Sequence, residues 1–392
     1  MAIPEWMDET VCEHRGEEEA APLHAVVPPL YLNSLHTFNT IGEYLSFKDD
    51  QDEQYIYGRV SNPTVALLEC KLAALERGAG ALCFGSGMAA ITSAIMACAA
   101  PGEHIIAVDS CYGPTRRFLT EQMRDRYGVE VDFVRAENAG DFEAALRQNT
   151  KLFYLESPSS LVFALTDLGE VASLARTRGI RTIIDNTWST PLYQKPLTLG
   201  IDISLHSLSK YIGGHSDIIG GALICRDEAL YRSIRITQRE LWGGIMGPFE
   251  AWLALRGLRS LPARLALHSS NAMAVANHLA AHPRIARLIY PGHPSFPQYE
   301  LSRRQMSGFS GLMSFIPALS FEETCQMVDG LRLFRRGVSW GGVESLISMP
   351  FGRTSEEAAA AVGGARNLVR ISVGQENAAD LIADIDRALA SV

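Results

Sequence analysis

The sequence has no uninterrupted apolar run of the roughly 20 residues that a bilayer-spanning helix needs, so a transmembrane helix is not expected. Its seven cysteines are odd in number and form no Cys-x-x-Cys pair. That pattern suggests neither a disulfide framework nor a zinc site, and most are read as small apolar core residues. Basic charge is scarce: 35 Lys and Arg stand against 44 Asp and Glu, a net charge of −9, with part of the excess at Glu13, Glu17, Glu18 and Glu19. Nothing is left over to grip nucleic acid. The start, Met1-Ala-Ile-Pro-Glu-Trp-Met-Asp, has neither the basic and apolar regions of a secretory signal nor the Arg-rich character of a transit peptide, so a cytoplasmic protein is expected. Histidines are scattered; His104, His206 and His215 are not at metal spacing, and no metal is expected. Internal repeats and low-complexity segments are absent too.

What is there fits a globular protein of 392 residues, 47% hydrophobic and 20% charged, with two or three domains. Val65, Leu68, Leu72 and Leu75 fall three and four apart, one face of a helix that Asn62-Pro63 is suited to start. Short apolar runs then alternate with helical stretches: Ala81–Phe84, Ile105–Val108, Lys151–Leu155, Thr182–Ile184, Ile201–Leu205 and Gly221–Ile224. Buried strands interleaved with helices predict an α/β fold with a mostly parallel sheet covered on both faces. Near Gly247-Pro248 the pattern changes to a long helical segment, Phe249 to about Ala281, expected to break near Pro262. Beyond it, strands are expected at Gly311–Phe315 and Leu368–Ser372. The division is an arm over 1–56, a cofactor domain over 57–247 and a smaller C-terminal domain over 248–392.

Three segments carry chemistry. Phe84-Gly-Ser-Gly87-Met88-Ala-Ala90 is a glycine turn between a strand and an apolar helix, suited to hold a phosphate on backbone N–H groups. It also fits Gly-x-Gly-x-x-Ala, with Asp109 where a ribose-binding acid would stand, so a nicotinamide site competes on this motif alone, as does a plain turn. Leu205-His-Ser207-Leu-Ser209-Lys210 sets a lysine between two hydroxyls after a buried strand. A Schiff-base lysine must lose its proton, which partial burial promotes, and hydroxyls can hold a phosphate. Asp185 ends an apolar strand, where α/β sheets bind ligands, and a carboxylate there could keep a pyridine nitrogen protonated; the alternative is a helix cap.

In this order and spacing the segments resemble the Cys/Met-metabolism family of pyridoxal-phosphate enzymes, from about Pro28 to the end. Further matching motifs are Tyr57-Gly-Arg59-Val-Ser-Asn-Pro63, Cys111-Tyr112-Gly-Pro-Thr115, Glu156-Ser-Pro158, Gly214-His-Ser-Asp217, Arg256-Gly-Leu-Arg259, Ser339-Trp-Gly-Gly342 and Val369-Arg370-Ile-Ser-Val-Gly374. The resemblance implies a fold-type I PLP-dependent transferase and pyridoxal 5'-phosphate as cofactor. It makes Lys210 the Schiff-base lysine and proton shuttle, and Asp185 the partner of the ring nitrogen. It assigns phosphate binding to Gly87, Met88, Ser207 and Ser209, ring stacking to Tyr112, and the substrate carboxylate to Arg370, helped by Ser339. Tyr57 and Arg59 would complete the phosphate site of a neighbouring subunit, in a homo-oligomer with shared sites and a small amino acid as substrate.

The subgroup is mixed. Where many γ-acting members have Asn-Pro after Glu-Ser-Pro, with the asparagine on the cofactor's phenolic oxygen, this chain has Ser159-Ser160-Leu161. That and Trp340 look like bacterial cystathionine β-lyase. Tyr57-Gly-Arg-Val-Ser-Asn-Pro-Thr64 reads more like the γ-acting branch, while Val338 is apolar where several cystathionine-handling γ enzymes have glutamate. The leading expectation is a cystathionine β-lyase-like C–S lyase releasing pyruvate, ammonia and a thiol. The alternatives are a γ-lyase or γ-synthase and, in another class, a non-catalytic binding or regulatory protein on the same fold.

Overall fold

The computed structural model describes residues 6–17, 22–46, 55–136 and 138–392; Glu18, Glu19 and the remaining parts of the expected arm lie outside them. Among the described residues, the larger sheet is built from β1 (Gly80–Phe84), β2 (His104–Val108), β3 (Glu130–Val134), β4 (Thr150–Glu156), β5 (Arg181–Asp185), β6 (Ile203–Ser207) and β7 (Gly221–Cys225). Their order is β1-β7-β6-β5-β4-β2-β3. β2 to β6 pair in parallel, and β7 runs antiparallel to both its neighbours. The apolar runs foreshadow every strand here but β3. That strand sits at the edge, half-exposed, and Glu130 and Asp132 interrupt its apolar residues.

Alternation along each strand feeds two cores. Leu82 and Phe84 of β1 pack with Ala90 and Ile95 of the Gly87–Cys98 helix, whereas Ala81 and Cys83 pack on the other face with Leu68 and Leu72 of the Pro63–Glu76 helix. The latter helix starts as its sequence suggests, the Asn62 side chain accepting from the Thr64 and Val65 N–H groups at 2.9 and 3.4 Å.

Strand order also removes the nicotinamide alternative. In a dinucleotide fold the acid ends the strand beside the glycine-turn strand. Here β7, β6, β5 and β4 stand between β1 and β2. At about 4.8 Å per strand, Asp109 just beyond β2 is roughly 24 Å from the glycine turn across the sheet.

The Pro248–Ala281 helix covers the long helical segment expected from the sequence but does not break at Pro262. Buried Leu258, Leu261 and Leu265 hold both sides of the proline in the core. The Gly257 carbonyl, one residue before the Leu258 carbonyl that proline leaves without a helical donor, accepts from Ser260 Oγ at 3.2 Å and from the Arg264 guanidinium at 2.7 Å, which ties the helix down beside the proline. Beyond it a second sheet has the order β10-β11-β12-β9-β8, with β8 (Ile285–Ile289), β9 (Leu312–Pro317), β10 (Arg335–Arg336), β11 (Leu346–Ser348) and β12 (Val369–Ser372). Its members other than β9 and β12 are short or half-exposed and left no clear run in the sequence.

The first part of the arm packs on its own chain. Cys12 is fully buried, and the buried Lys71 ammonium donates to the Cys12 and Glu13 carbonyls at 2.9 Å and pairs with Glu17 at 2.9 Å. The next segment is different: Leu23, Val26, Leu32, Ile41 and Leu45 all stand exposed. Among the described residues no helix is long and apolar enough to cross a membrane.

Candidate active site

The C-terminal ends of β4, β5 and β6 open into a cavity of 1190 Å³ whose far wall comes from the second sheet and the loops around it. Its near end is built from the glycine turn. Ser86 caps the Gly87–Cys98 helix by accepting from the Ala89 N–H at 3.0 Å, so the Gly87 and Met88 amides fall in the first turn, where no earlier carbonyl of the helix can pair them. β7 presses on this turn: a Cβ at Gly221 would lie 2.2 Å from the Ser86 carbonyl oxygen, so only glycine fits. Ser207 also packs against the turn, its Cβ 3.1 Å from where a Cβ on Gly87 would stand, and the Ser209 hydroxyl accepts from the Gly220 N–H at 3.1 Å. Amides, hydroxyls and a helix N-terminus in one cradle suit a phosphate.

Asp185 is the last residue of β5 and is no helix cap. Its Oδ1 accepts from the Thr187 N–H at 3.0 Å and the Thr187 hydroxyl at 2.5 Å, and that hydroxyl accepts in turn from the Ser207 N–H at 2.8 Å. β5 and β6 are thereby tied together at their ends. Burial raises the Asp185 pKa, while the Thr187 hydroxyl and amide, His206 and Lys210 draw it back. Behind it, the fully buried Glu76 accepts from Asn186, Ser204 and His206, at 3.0, 2.8 and 2.5 Å, fixing the residues next to Asp185 and Ser207.

The parallel register sets Glu156 of β4 directly beside Asp185. Burial first, and then the Asp185 charge, push the Glu156 carboxyl up to about 8, against the pull of the Ser160 hydroxyl, the Tyr112 N–H and Arg370. Two buried neighbouring carboxyls do not both ionise readily. The proton stays on Glu156, because Thr187 and Lys210 favour the ionised form of Asp185.

Lys210 leaves β6 into the cavity and donates to Ser339 Oγ at 2.7 Å. Burial, then the Arg370 charge, bring its ammonium down to about 8, with Asp185 opposing. A sizeable free-amine fraction near neutral pH is what nucleophile and base both require. The Lys210 nitrogen lies 5.4 Å from the centre of the Trp340 ring. Gly341, at φ +88°, lets the loop after Trp340 close on the Lys210–Tyr211 backbone, where an added Cβ would be 2.8 Å from the Tyr211 nitrogen. Arg370, in the middle of the second sheet on β12, donates to the Ser160 carbonyl at 3.3 Å and the Val338 carbonyl at 2.8 Å. Tyr112 is half-exposed at the cavity, and its N–H donates to Glu156 at 2.7 Å.

The cavity therefore collects Gly87, Met88, Tyr112, Ser160, Asp185, Ser207, Ser209, Lys210, Val338, Ser339, Trp340 and Arg370. Tyr57 and Arg59 do not line it. Arg59 donates instead to the Glu240 carbonyl, and Tyr57 is half-exposed. Residues 9–390 match the profile described as Cys/Met metabolism PLP-dependent enzyme. The chain belongs to this family.

Its relatives agree along nearly the whole length. The chain is 38% identical over 387 residues to a cystathionine gamma-lyase of Bacillus subtilis, covering 98% of this chain and 99% of that one. It is likewise 38% identical to a cystathionine gamma-synthase of Mycobacterium tuberculosis, over 96% of this chain and 95% of that one. A Porphyromonas gingivalis L-methionine gamma-lyase is 38% identical as well, over 97% and 96%. The solved structure of metB from Corynebacterium glutamicum superposes with a TM-score of 0.91 at 33% identity, covering 98% of both chains. The fold is fold-type I and the cofactor is pyridoxal 5'-phosphate. The cradle at Gly87, the carboxylate at Asp185 and the amine at Lys210 fit its phosphate, ring nitrogen and aldehyde by donor chemistry.

Two members of the site do not stand out in the sequence. Glu156 was visible only as part of Glu156-Ser-Pro158, and a buried acid at the end of a strand beside Asp185 is the signal that could have marked it. Thr187 lies two residues past Asp185, the spacing at which an Asp side chain reaches back-to-chain donors.

Proposed function

We propose that this PLP-dependent enzyme of sulfur amino acids acts mainly at the γ carbon, as a lyase or synthase on homocysteine-type thioethers or O-activated homoserines. The observation that carries this reading is the near-full-length likeness to three relatives named for γ chemistry at equal identity, with Tyr57-Gly-Arg59-Val-Ser-Asn-Pro-Thr64 in its γ-like form. They match the γ-acting alternative better than the β-lyase expectation. Ser160 and Trp340 favour β-elimination as a second reading. Ser160 binds Glu156 and Trp340 lies beside Lys210, so both act near the reacting atoms.

When bound, the cofactor supplies a protonated ring that draws electrons from substrate Cα. The Gly87 and Met88 amides with Ser207 and Ser209 hold its phosphate, Asp185 keeps the ring nitrogen protonated, and Tyr112 covers the ring. Arg370 grips the substrate carboxylate as a two-pronged donor. The Lys210 amine takes the Cα proton; for γ chemistry it must give that proton up before it can take a second from Cβ. Ser339 holds that amine at 2.7 Å, a contact that can release as the lysine swings. Trp340 and the Gly341 loop keep the lysine base shielded.

Tyr57 and Arg59 serve the phosphate site of a second copy of the chain, and the exposed apolar arm from Leu23 to Leu45 covers that copy; its apolar surface supports this reading. Mixing inactive Arg59→Ala with inactive Lys210→Ala subunits should restore activity at hybrid sites. No recovery after demonstrated exchange contradicts sharing. The reaction itself is tested by a product assay over a thioether panel. More 2-oxobutyrate from methionine or homocysteine thioethers than pyruvate from cysteine thioethers is expected; the reverse returns the β-lyase reading.

A further inference from the structure

The far part of the cavity has no task in the chemistry above. The cavity's 1190 Å³ exceeds the roughly 300–1,000 Å³ common for small-molecule sites, which leaves room past the cofactor and an amino-acid head group. Val338, Ile347 and Met349 give this part an apolar wall, and the Val338 side chain is 86% exposed. Such a wall takes the methylene and sulfur part of a substrate but holds no charge.

Among the charged side chains of the lining, most are already engaged. Arg336 donates to the Val328, Asp329 and Leu331 carbonyls, Arg370 to the Ser160 and Val338 carbonyls, and Lys210 to Ser339. Asp185 and Glu156 are bound as described, and Glu344 accepts from the Ser216 hydroxyl at 2.5 Å. Arg353 is the exception: it lines the cavity and has no hydrogen bond or ion pair among the described residues. The turn that bears it is anchored. Phe351 is buried in the core that the second sheet shares with the end of the Pro248–Ala281 helix, and the Gly352 and Thr354 N–H groups donate to the Met349 and Phe351 carbonyls at 3.1 and 3.0 Å. A firmly seated backbone thus presents an unpaired guanidinium to the cavity.

We infer that Arg353 receives a carboxylate on the departing arm of the substrate, so that preferred substrates carry one carboxylate for Arg370 and a second for Arg353. This rests on the proposed reaction and names its substrate class: thioethers or esters whose leaving group ends in a carboxylate. A guanidinium fork matches a planar two-oxygen anion. The Glu344 carboxylate on the same lining weighs against a more highly charged group such as a phosphate.

Binding can be read without turnover. In the Lys210→Ala background, calorimetry compares S-(2-carboxyethyl)-L-homocysteine with S-propyl-L-homocysteine, and the matching cysteine pair, before and after adding Arg353→Ala or Arg353→Lys. The charged member of each pair should bind about two- to five-fold more tightly with Arg353 present, the preference of a solvated charge pair. Arg353→Ala should bring the ratio towards one, and Arg353→Lys should restore part of it. An equal ratio with arginine and alanine overturns the inference. Because this assay reads affinity alone, it fails or succeeds independently of whether the product panel yields 2-oxobutyrate or pyruvate.

Discussion

The two ends of the cavity are built by different means. At the cofactor end, side chains sit on strand ends or a helix N-terminus and are cross-tied: Asp185 to Thr187, Thr187 to Ser207, Ser207 against Gly87. Buried Glu76 adds a further layer behind them. At the distal end, Val338 and Arg353 stand on exposed loops with their side chains free, and it is the Val338 backbone carbonyl, not its side chain, that serves Arg370. Packing of the first kind admits few residue types, whereas exposed loop positions such as Val338 and Arg353 admit many.

This difference can be sharpened by substitution. Arg370→Ala should have the largest effect outside the lysine, because a substrate carboxylate would lose a buried charged partner worth about 2–5 kcal/mol. KM for every α-amino-acid substrate should rise, whatever its leaving group. A rise confined to one leaving group would move Arg370 into the distal end.

A smaller effect is expected at Glu156. Its carboxyl sits near 8 in the folded protein against an ordinary 4.5, so its protonated form favours folding. That contribution is complete below 4.5 and is lost as pH rises through about 8. The Tm of cofactor-free protein should therefore fall between pH 5 and 8, and Glu156→Gln, which cannot ionise, should flatten the fall. Equal slopes would mean that Glu156 is ionised in the fold.

Smallest is Val338→Glu. An exposed charge pair is worth about 0.2–1 kcal/mol, so selectivity towards leaving groups with a distal amine should move only a few-fold in kcat/KM. A far larger shift would show that the distal wall closes around substrate.

Much of the cofactor end is legible in the sequence, because its residues follow buried strands and a capped helix whose patterns are local. Gly87, Asp185 and Lys210 each stand at such a junction. β3, β10 and β11 are less legible, being an exposed edge strand and strands of two and three residues with no period to read. Glu156 escapes notice because its role comes from the register that sets it beside Asp185, a relation between strands 29 residues apart in the chain. Arg353 escapes for the opposite reason: nothing around it constrains its type. Tyr57 and Arg59 are legible as motif only, since their own chain gives them no place in the cavity.

The central claim is that the cofactor end alone carries the chemistry, with Lys210 as the group that bonds pyridoxal phosphate. It is tested most directly by reconstituting wild-type, Lys210→Ala and Arg353→Ala proteins with the cofactor and recording visible spectra beside turnover of S-propyl-L-homocysteine. The lysine-linked absorbance band should be present in wild type and Arg353→Ala and absent in Lys210→Ala. Turnover in Lys210→Ala should fall by about 10³-fold or more. A band that survives in Lys210→Ala, or one that disappears in Arg353→Ala, would contradict it.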